Sequence, residues 1–484
     1  MFKIISPKFF YLLLVIAFII KLGSAYNMAH LRKCLTPENI STKLASKNGD
    51  APFYVDPIDN YLEKGEYYYQ SGNQKIETGR APYYGLTYLM FRLFLPRETS
   101  YDMVVILQLI VESLAIMYLC ALASLVFKHK VAYLLTYLLM ILSFNTTFWA
   151  NALLTESLAI SFLIFFAWHY YNYLLEKQKR SLFFSGLFLG FAVLLKPYFS
   201  LLYIPVGILF FTEKPFSFNK IILNTVLVSG SLIVLSIPYT IRNLVKFKQF
   251  IPGSALYGGY NFSKANFACR EFIRAWGGSI MFWDKRSAAC YFEPVPDVPC
   301  EFVFPEYVLC KGYSMKDIEA VRNLYVLYQK NPTPALEDSV TAEFNRLTSL
   351  FIQYKPMRYY FITPLILVKN FLFHSGSYYL SVSKTSPCYE GYQTLLKLSQ
   401  SFLYYLSLFA GFIGLILIFL KDKRSYMLLF IPVYLILLFP IGFKATEFRY
   451  FAPSYPFLIL GTSYFCLRVY SYARNLLNQN TAEK

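Results

Sequence analysis

The chain has 484 residues, 56% of them hydrophobic and only 15% charged, with a net charge of +18. Soluble domains usually carry about 25% charged residues, so a water-soluble fold is set aside, and 19% aromatics suit interfacial belts and helix faces packed in lipid. The surplus Lys and Arg fall in short loops and tails, and there is no Walker loop, zinc-finger spacing or long basic stripe, so nucleic acid is excluded as a partner.

Crossing a bilayer takes about 20 apolar residues, fewer where a helix is tilted or bent. Ten runs are predicted to do so: 9–26, 102–126, 131–149, 153–173, 183–196, 198–213, 221–239, 400–420, 425–441 and 452–470. Lys3, Lys8 and Gly23-Ser24-Ala25 around the first run also fit a cleaved signal peptide, and we read the run as an uncleaved anchor. Splitting 183–213 at Lys196-Pro197 into two spans puts Lys128, Lys177, Arg180, Lys220, Arg424 and Arg468 on one side, as the positive-inside rule requires. The same rule demotes 358–380 from a span to an amphipathic helix on the outer surface, interrupted by Lys369, Asn370 and His374.

The predicted fold is therefore an all-α integral membrane protein of about ten transmembrane helices. A membrane module covers 1–261 and includes the first outer loop, 27–101. A large outer region follows at 262–399, then C-terminal membrane helices at 400–484. Cys34, Cys269, Cys290, Cys300, Cys310 and Cys388 all fall in the outer regions, an even set that suits disulfides in an oxidising compartment. They lack the close Cys-x-x-Cys pairs that zinc sites favour.

Candidate chemistry gathers on the outer side. The first outer loop holds Asp50, a candidate general base, with further acids at Asp56 and Asp59 and a candidate phosphate partner at Arg80. A helix is predicted from Asp56 to Lys64, with Pro57 in its first turn. Glu156 opens the fourth span, where an ionisable residue marks a functional site. Lys196, Arg242-Asn243 and Glu447-Phe448-Arg449-Tyr450 reach the same face from three other segments. Glu112, inside the second span, is read as a buried structural acid without a functional role.

Several motifs occur in order: Asp50-x-x-x-Tyr54, Arg80-x-Pro82-x-Tyr84, Thr155-Glu156-Ser157-Leu158, Gly186-x-x-x-Gly190 ending in Leu195-Lys196-Pro197, Ile237-Pro238-Tyr239-Thr240-Ile241-Arg242-Asn243, Gly258-Gly259-Tyr260-Asn261, and Arg449-Tyr450-x-x-Pro453. In these the chain resembles the GT-C superfamily glycosyltransferases of the dolichyl-phosphate-mannose protein mannosyltransferase-like group, related to the bacterial aminoarabinose transferases. The resemblance implies inverting transfer of a sugar from a polyprenyl-phosphate carrier to a hydroxyl of a glycan, lipid or protein acceptor. An acidic residue of the first outer loop, Asp50 here, would be the base. Arg242 and Arg449, then Lys196 and Arg80, would meet the phosphate. Tyr54, Asp56, Tyr84, Glu156, Asn243 and Tyr450 would position the substrates.

The chain departs from that pattern in places. Many relatives carry an acidic pair where Asp50 is followed by Ala51, and Lys196 replaces a usual Arg, turning a bidentate contact into a point charge. The segment 262–355 matches nothing in the family and is expected to shape acceptor choice. A divalent metal ion is open as a cofactor, with no ligand set that demands one. Two alternatives stand: a polysaccharide ligase or polymerase using a diphosphate-linked glycan, and a transporter, which would place its charges near the midplane. The composition points to a bacterial inner membrane, with the site on the periplasmic face.

Overall fold

A computed structural model of the chain describes residues 6–35, 42–47, 49–71, 74–77, 80–212, 216–253, 263–278, 302–374 and 389–482. They form α1 (Pro7–Leu35), α2 (Pro52–Lys64), β1 (Tyr69–Ser71), β2 (Gln74–Ile76), α3 (Gly85–Arg92), α4 (Arg97–Phe127), α5 (Lys130–Leu142), α6 (Thr147–Asn151), α7 (Glu156–Glu176), α8 (Lys179–Leu195), α9 (Tyr203–Thr212) and α10 (Phe218–Phe247). Then follow α11 (Lys264–Ala275), α12 (Met315–Lys330), α13 (Pro334–Tyr354), α14 (Thr363–Leu372), α15 (Gly391–Lys421), α16 (Tyr426–Ile436) and α17 (Tyr455–Ala482). The two strands pair antiparallel, Tyr69 opposite Ile76.

The all-α membrane class is met. Six helices among the described residues are long and apolar enough to cross a membrane: Pro7–Leu31, Arg97–Phe127, Glu156–Glu176, Phe218–Phe247, Gly391–Lys421 and Lys423–Phe443. Others of the ten predicted runs form shorter apolar helices, Lys130–Leu142 and Pro197–Thr212. Exposed Val15 and Ile19 on α1, Val226 and Val234 on α10, and Phe402 and Phe409 on α15 give these helices apolar outer faces suited to lipid. The described part of the 358–380 run, up to residue 374, forms a π-helical turn at Arg358–Ile362 and the ten-residue α14. Residues 262 and 279–301, with Cys290 and Cys300, lie outside the described residues, as do Cys388, the side chain of Cys34 and the Gly258–Asn261 motif.

Close helix packing explains part of the glycine pattern. A Cβ on Gly414 of α15 would sit 1.9 Å from the carbonyl oxygen of Gly461 on α17, and one on Gly186 of α8 would sit 2.5 Å from Val228 Cα on α10. Backbones this close require glycine, so Gly186-x-x-x-Gly190 has a packing role as a small-xxx-small face. A second apolar cluster joins α11, α12 and α13 around Phe272, Tyr325, Phe344 and Phe351. Cys269 is buried in it with a free thiol, which burial pushes up to about 12, and Cys310 is also free. The disulfide expectation therefore fails at these two cysteines. Cys269 follows Ala265 and Ala268 on the helix face that meets this core and serves there as a small apolar residue.

The predicted third span, 131–149, is broken. Helix α5 stops at Leu142, after thirteen residues, which at about 1.5 Å per residue is too short for a core of about 30 Å. Freed backbone groups at such depth need internal partners. Lys21 of α1, fully buried, donates to the carbonyls of Met140 (2.9 Å) and Ser143 (2.6 Å). Gln400 of α15 donates to the Leu142 carbonyl (2.8 Å) and accepts from the Phe144 amide (2.9 Å). Glu112 of α4 accepts from the hydroxyls of Thr146 (2.6 Å) and Thr147 (3.2 Å) and lies 3.5 Å from Lys21 Nζ.

Removing one partner of a buried pair strands the other charge, at about 3–5 kcal/mol. Lys21→Met is therefore expected to destabilise the protein by that amount in denaturant unfolding in detergent. Lys21→Met/Glu112→Gln is expected to recover a large part of the loss. A double variant no more stable than the single one would show that the charge pair is not the cause.

Candidate active site

The break in the third span sets the floor of the site. Beyond it, Asn151 holds the start of the loop that follows α1: the Ser46 amide donates to the Asn151 carbonyl (3.0 Å) and the Leu153 amide to the Ser46 carbonyl (3.2 Å). Asp102 of α4 accepts from the amides of Leu44 (2.9 Å) and Ala45 (3.2 Å). The loop then turns at Gly49, whose φ of +58° a residue with a side chain rarely adopts, and delivers Asp50 just ahead of α2. That helix begins earlier than its predicted Asp56, because Pro52 suits the first helical turn. Pro57 lies inside it instead.

Asp50 sits between two guanidiniums. Its Oδ2 accepts from Arg449 Nη1 at 2.8 Å and from Arg80 Nη2 at 3.3 Å. Arg80 lies between β2 and α3, and Arg449 on a 3-10 turn (Phe448–Tyr450) ahead of α17, so the pairing joins residues 399 positions apart. Side-chain exposures of 19% for Asp50, 27% for Arg80 and 22% for Arg449 place the cluster at a partly open mouth. Glu447 Oε2 lies 2.6 Å from Arg449 Nε as a charge contact, and Tyr450 Oη lies 3.5 Å from Arg449 Nη2. Burial works against the Arg449 charge, but Tyr450, Glu447, Glu156 and Asp50 outweigh it and hold its pKa above the ordinary arginine value. The guanidinium therefore stays charged at every pH of interest.

A second, deeper pair lies behind. Glu156, at the start of α7, accepts from Lys196 Nζ at 2.7 Å. Aromatic side chains tie the two layers together. Tyr198 packs edge-on to Tyr450 (6.0 Å), and Tyr450 stacks on Phe439 (4.2 Å). Tyr54 meets Tyr84 at 5.3 Å and lies under the Arg80 guanidinium at 5.2 Å. Tyr84 in turn donates to Gln108 Oε1 (3.2 Å), which connects the mouth to the polar groups around the helix break.

The structure thus brings together Asp50, Arg80, Arg449, Glu156, Lys196, Tyr54, Tyr84 and Tyr450 from the sequence-predicted set. Asp56 is engaged elsewhere, by Lys47 (2.6 Å) and Arg97 (3.1 Å). Arg242 and Asn243 are also spent on other contacts. Arg242 Nη1 donates to the Glu77 carbonyl (3.2 Å) and to Asn243 Oδ1 (2.9 Å), with its guanidinium over the rings of Tyr67 (5.2 Å) and Tyr239 (5.6 Å). Asn243 Nδ2 donates to the Ile251 carbonyl (2.8 Å). Both tie the loop between α1 and α4 and the segment after α10 to the end of that helix. Tyr198 is the member that sequence reasoning left out of the site, and Glu447, placed on this face by sequence, was given no role there. Their signal was adjacency: Tyr198 follows Lys196-Pro197, and Glu447 precedes Arg449 by two. Arg242→Ala is expected to speed limited proteolysis between Gly65 and Tyr83 by releasing this loop, and an unchanged cleavage rate would remove the pinning role.

Among the described residues, no three His, Cys, Asp or Glu side chains converge to hold a metal ion. The arrangement offers two carboxylates at a partly open mouth, Asp50 and Glu447, and three cations, Arg80, Lys196 and Arg449, within the same cluster. That combination can take a proton from a hydroxyl and meet negative charge developing on a neighbouring oxygen. No curated protein matches the chain. Residues 84–240, which include Tyr84, Glu156 and Lys196, match the family model of dolichyl-phosphate-mannose-protein mannosyltransferase, and this indicates a membrane glycosyltransferase of the GT-C type.

Proposed function

We propose that the chain is an inverting glycosyltransferase that takes a sugar from a polyprenyl-phosphate carrier and passes it to a hydroxyl of a glycan, lipid or protein acceptor. The observation that carries this reading is the Asp50 carboxylate held against Arg449 and Arg80, beside the Glu156–Lys196 pair. Asp50 takes the acceptor's proton as the acceptor oxygen bonds to the anomeric carbon. The bond from that carbon to the phosphate oxygen breaks, and its electron pair stays on the phosphate. A lipid phosphate is already a good leaving group, so the protein's task is to offset the charge that develops on it. Arg449 and Arg80 are placed for this, with Lys196 behind them. Arg242, a first choice from sequence, is here a residue that holds the loop.

Glu156 positions Lys196, Tyr450 lines the approach, and the buried Tyr54 and Tyr84 support Arg80 from behind. The positive-inside pattern supports a site on the outer face, and the composition supports a bacterial inner membrane, in which that face is periplasmic. The lipid tail runs along the apolar outer faces of the helices. Asp50→Asn is expected to slow consumption of the lipid-linked sugar in membranes by about 10²–10⁴-fold, the usual contribution of a general base. Asp56→Asn, whose carboxylate serves Lys47 and Arg97, is expected to leave consumption largely unchanged. Equal losses in both variants would withdraw Asp50 from the role of base.

A further inference from the structure

The resting cluster is electrically complete. Its three cations, Arg80, Lys196 and Arg449, face three carboxylates, Asp50, Glu156 and Glu447. Every edge of the Arg449 guanidinium is engaged: Asp50 at Nη1, Tyr450 at Nη2 and Glu447 at Nε. An incoming phosphate can gain two contacts with this guanidinium only by displacing a carboxylate. Glu447 is set against Arg449, two residues away. Asp50 Oδ2 is shared by Arg449 and Arg80. A phosphate that takes both arginines takes the place of this carboxylate.

We propose that the donor's phosphate displaces the Asp50 carboxylate from Arg449 and Arg80, so that the base becomes available only after the donor has bound. The inference rests on the transferase reading above. A carboxylate bonded to two guanidiniums is a poor proton acceptor, because protonation gives up two charge-assisted bonds. Once the phosphate holds both arginines, Asp50 loses that stabilisation and faces a new anion, which makes it a stronger base. It then takes the acceptor's proton while the acceptor oxygen bonds to the anomeric carbon and the phosphate leaves with the electron pair. An acceptor arriving alone meets an inactive base. Donor-first order follows.

The test uses the full-length protein in detergent and farnesyl phosphate as the probe, with affinity measured by calorimetry. If Asp50 competes with phosphate, Asp50→Asn and Asp50→Ser each bind the probe about tenfold tighter than the wild type, the effect of removing one competing contact of about 1.4 kcal/mol. Arg449→Ala binds it more weakly. Asp50 variants that bind the probe equally or more weakly would overturn the gating and leave the transferase reading standing. A wild type that binds no isoprenyl phosphate would overturn that reading and the gating with it. A readout on the unaltered protein stands alongside: carbodiimide labelling of carboxylates, followed by peptide mass. Modification at Asp50 rises several-fold when the probe is added, and no rise would also overturn the gating.

Discussion

The contact on which the site depends is the Asp50 carboxylate between Arg80 and Arg449. It fastens the loop between α1 and α2 to the turn before α17, joining residues 399 positions apart. With all three side chains between 19% and 27% exposed, the pairing is neither the screened surface kind nor a fully buried one. A hydrogen bond to a charged group in such a setting contributes about 1.5–3 kcal/mol. That is enough to set the loop's position and little enough for a bound phosphate to replace. A stronger clamp would lock the carboxylate in place, and a weaker one would leave the loop without a fixed station.

Beneath the mouth, the membrane portion solves a different problem. A polar loop entering from one side needs a floor, and a continuous third span would not provide one. The chain interrupts that span after Leu142 and returns with α6, then satisfies the freed backbone with Lys21, Gln400 and the Glu112-bound threonines. Asn151 and Gln108 extend the same polar set upward to Ser46 and Tyr84. Groups that would be costly alone in lipid thus pair with one another from the helix break to the base of the site, with Glu112 Oε2 and Asn151 Oδ1 left without a hydrogen bond.

Much of this was legible in the sequence, and the failures have physical causes. Glu156, Lys196 and Arg449 could be singled out because ionisable residues at the ends of apolar runs are few, Asp50 and Arg80 because they lie in the polar loop between the first two runs, and all of them meet in one cluster. Arg242 looked equivalent by that criterion. What sets it apart is its partners, the Glu77 carbonyl and the tyrosine rings, and these come from a loop whose path no local pattern specifies. The broken span was visible only as Ser143-Phe144-Asn145-Thr146-Thr147, a polar patch that an averaged hydropathy window passes over. Lys21 was hidden in the same way inside a long apolar run, so Glu112 could be recognised as a buried acid without its counter-charge. Cys269 was misread because spacing between cysteines carries less information than its position on an amphipathic helix beside Ala265, Ala268 and Phe272.

The central claim is that Arg449 receives a polyprenyl phosphate at this mouth. Native mass spectrometry of the wild type and Arg449→Ala, purified in mild detergent, tests it most directly. The account predicts a polyprenyl-monophosphate species, with or without its sugar, on the wild type and its loss from the variant. A diphosphate-linked glycan in its place, or a monophosphate lipid retained equally by Arg449→Ala, would contradict it.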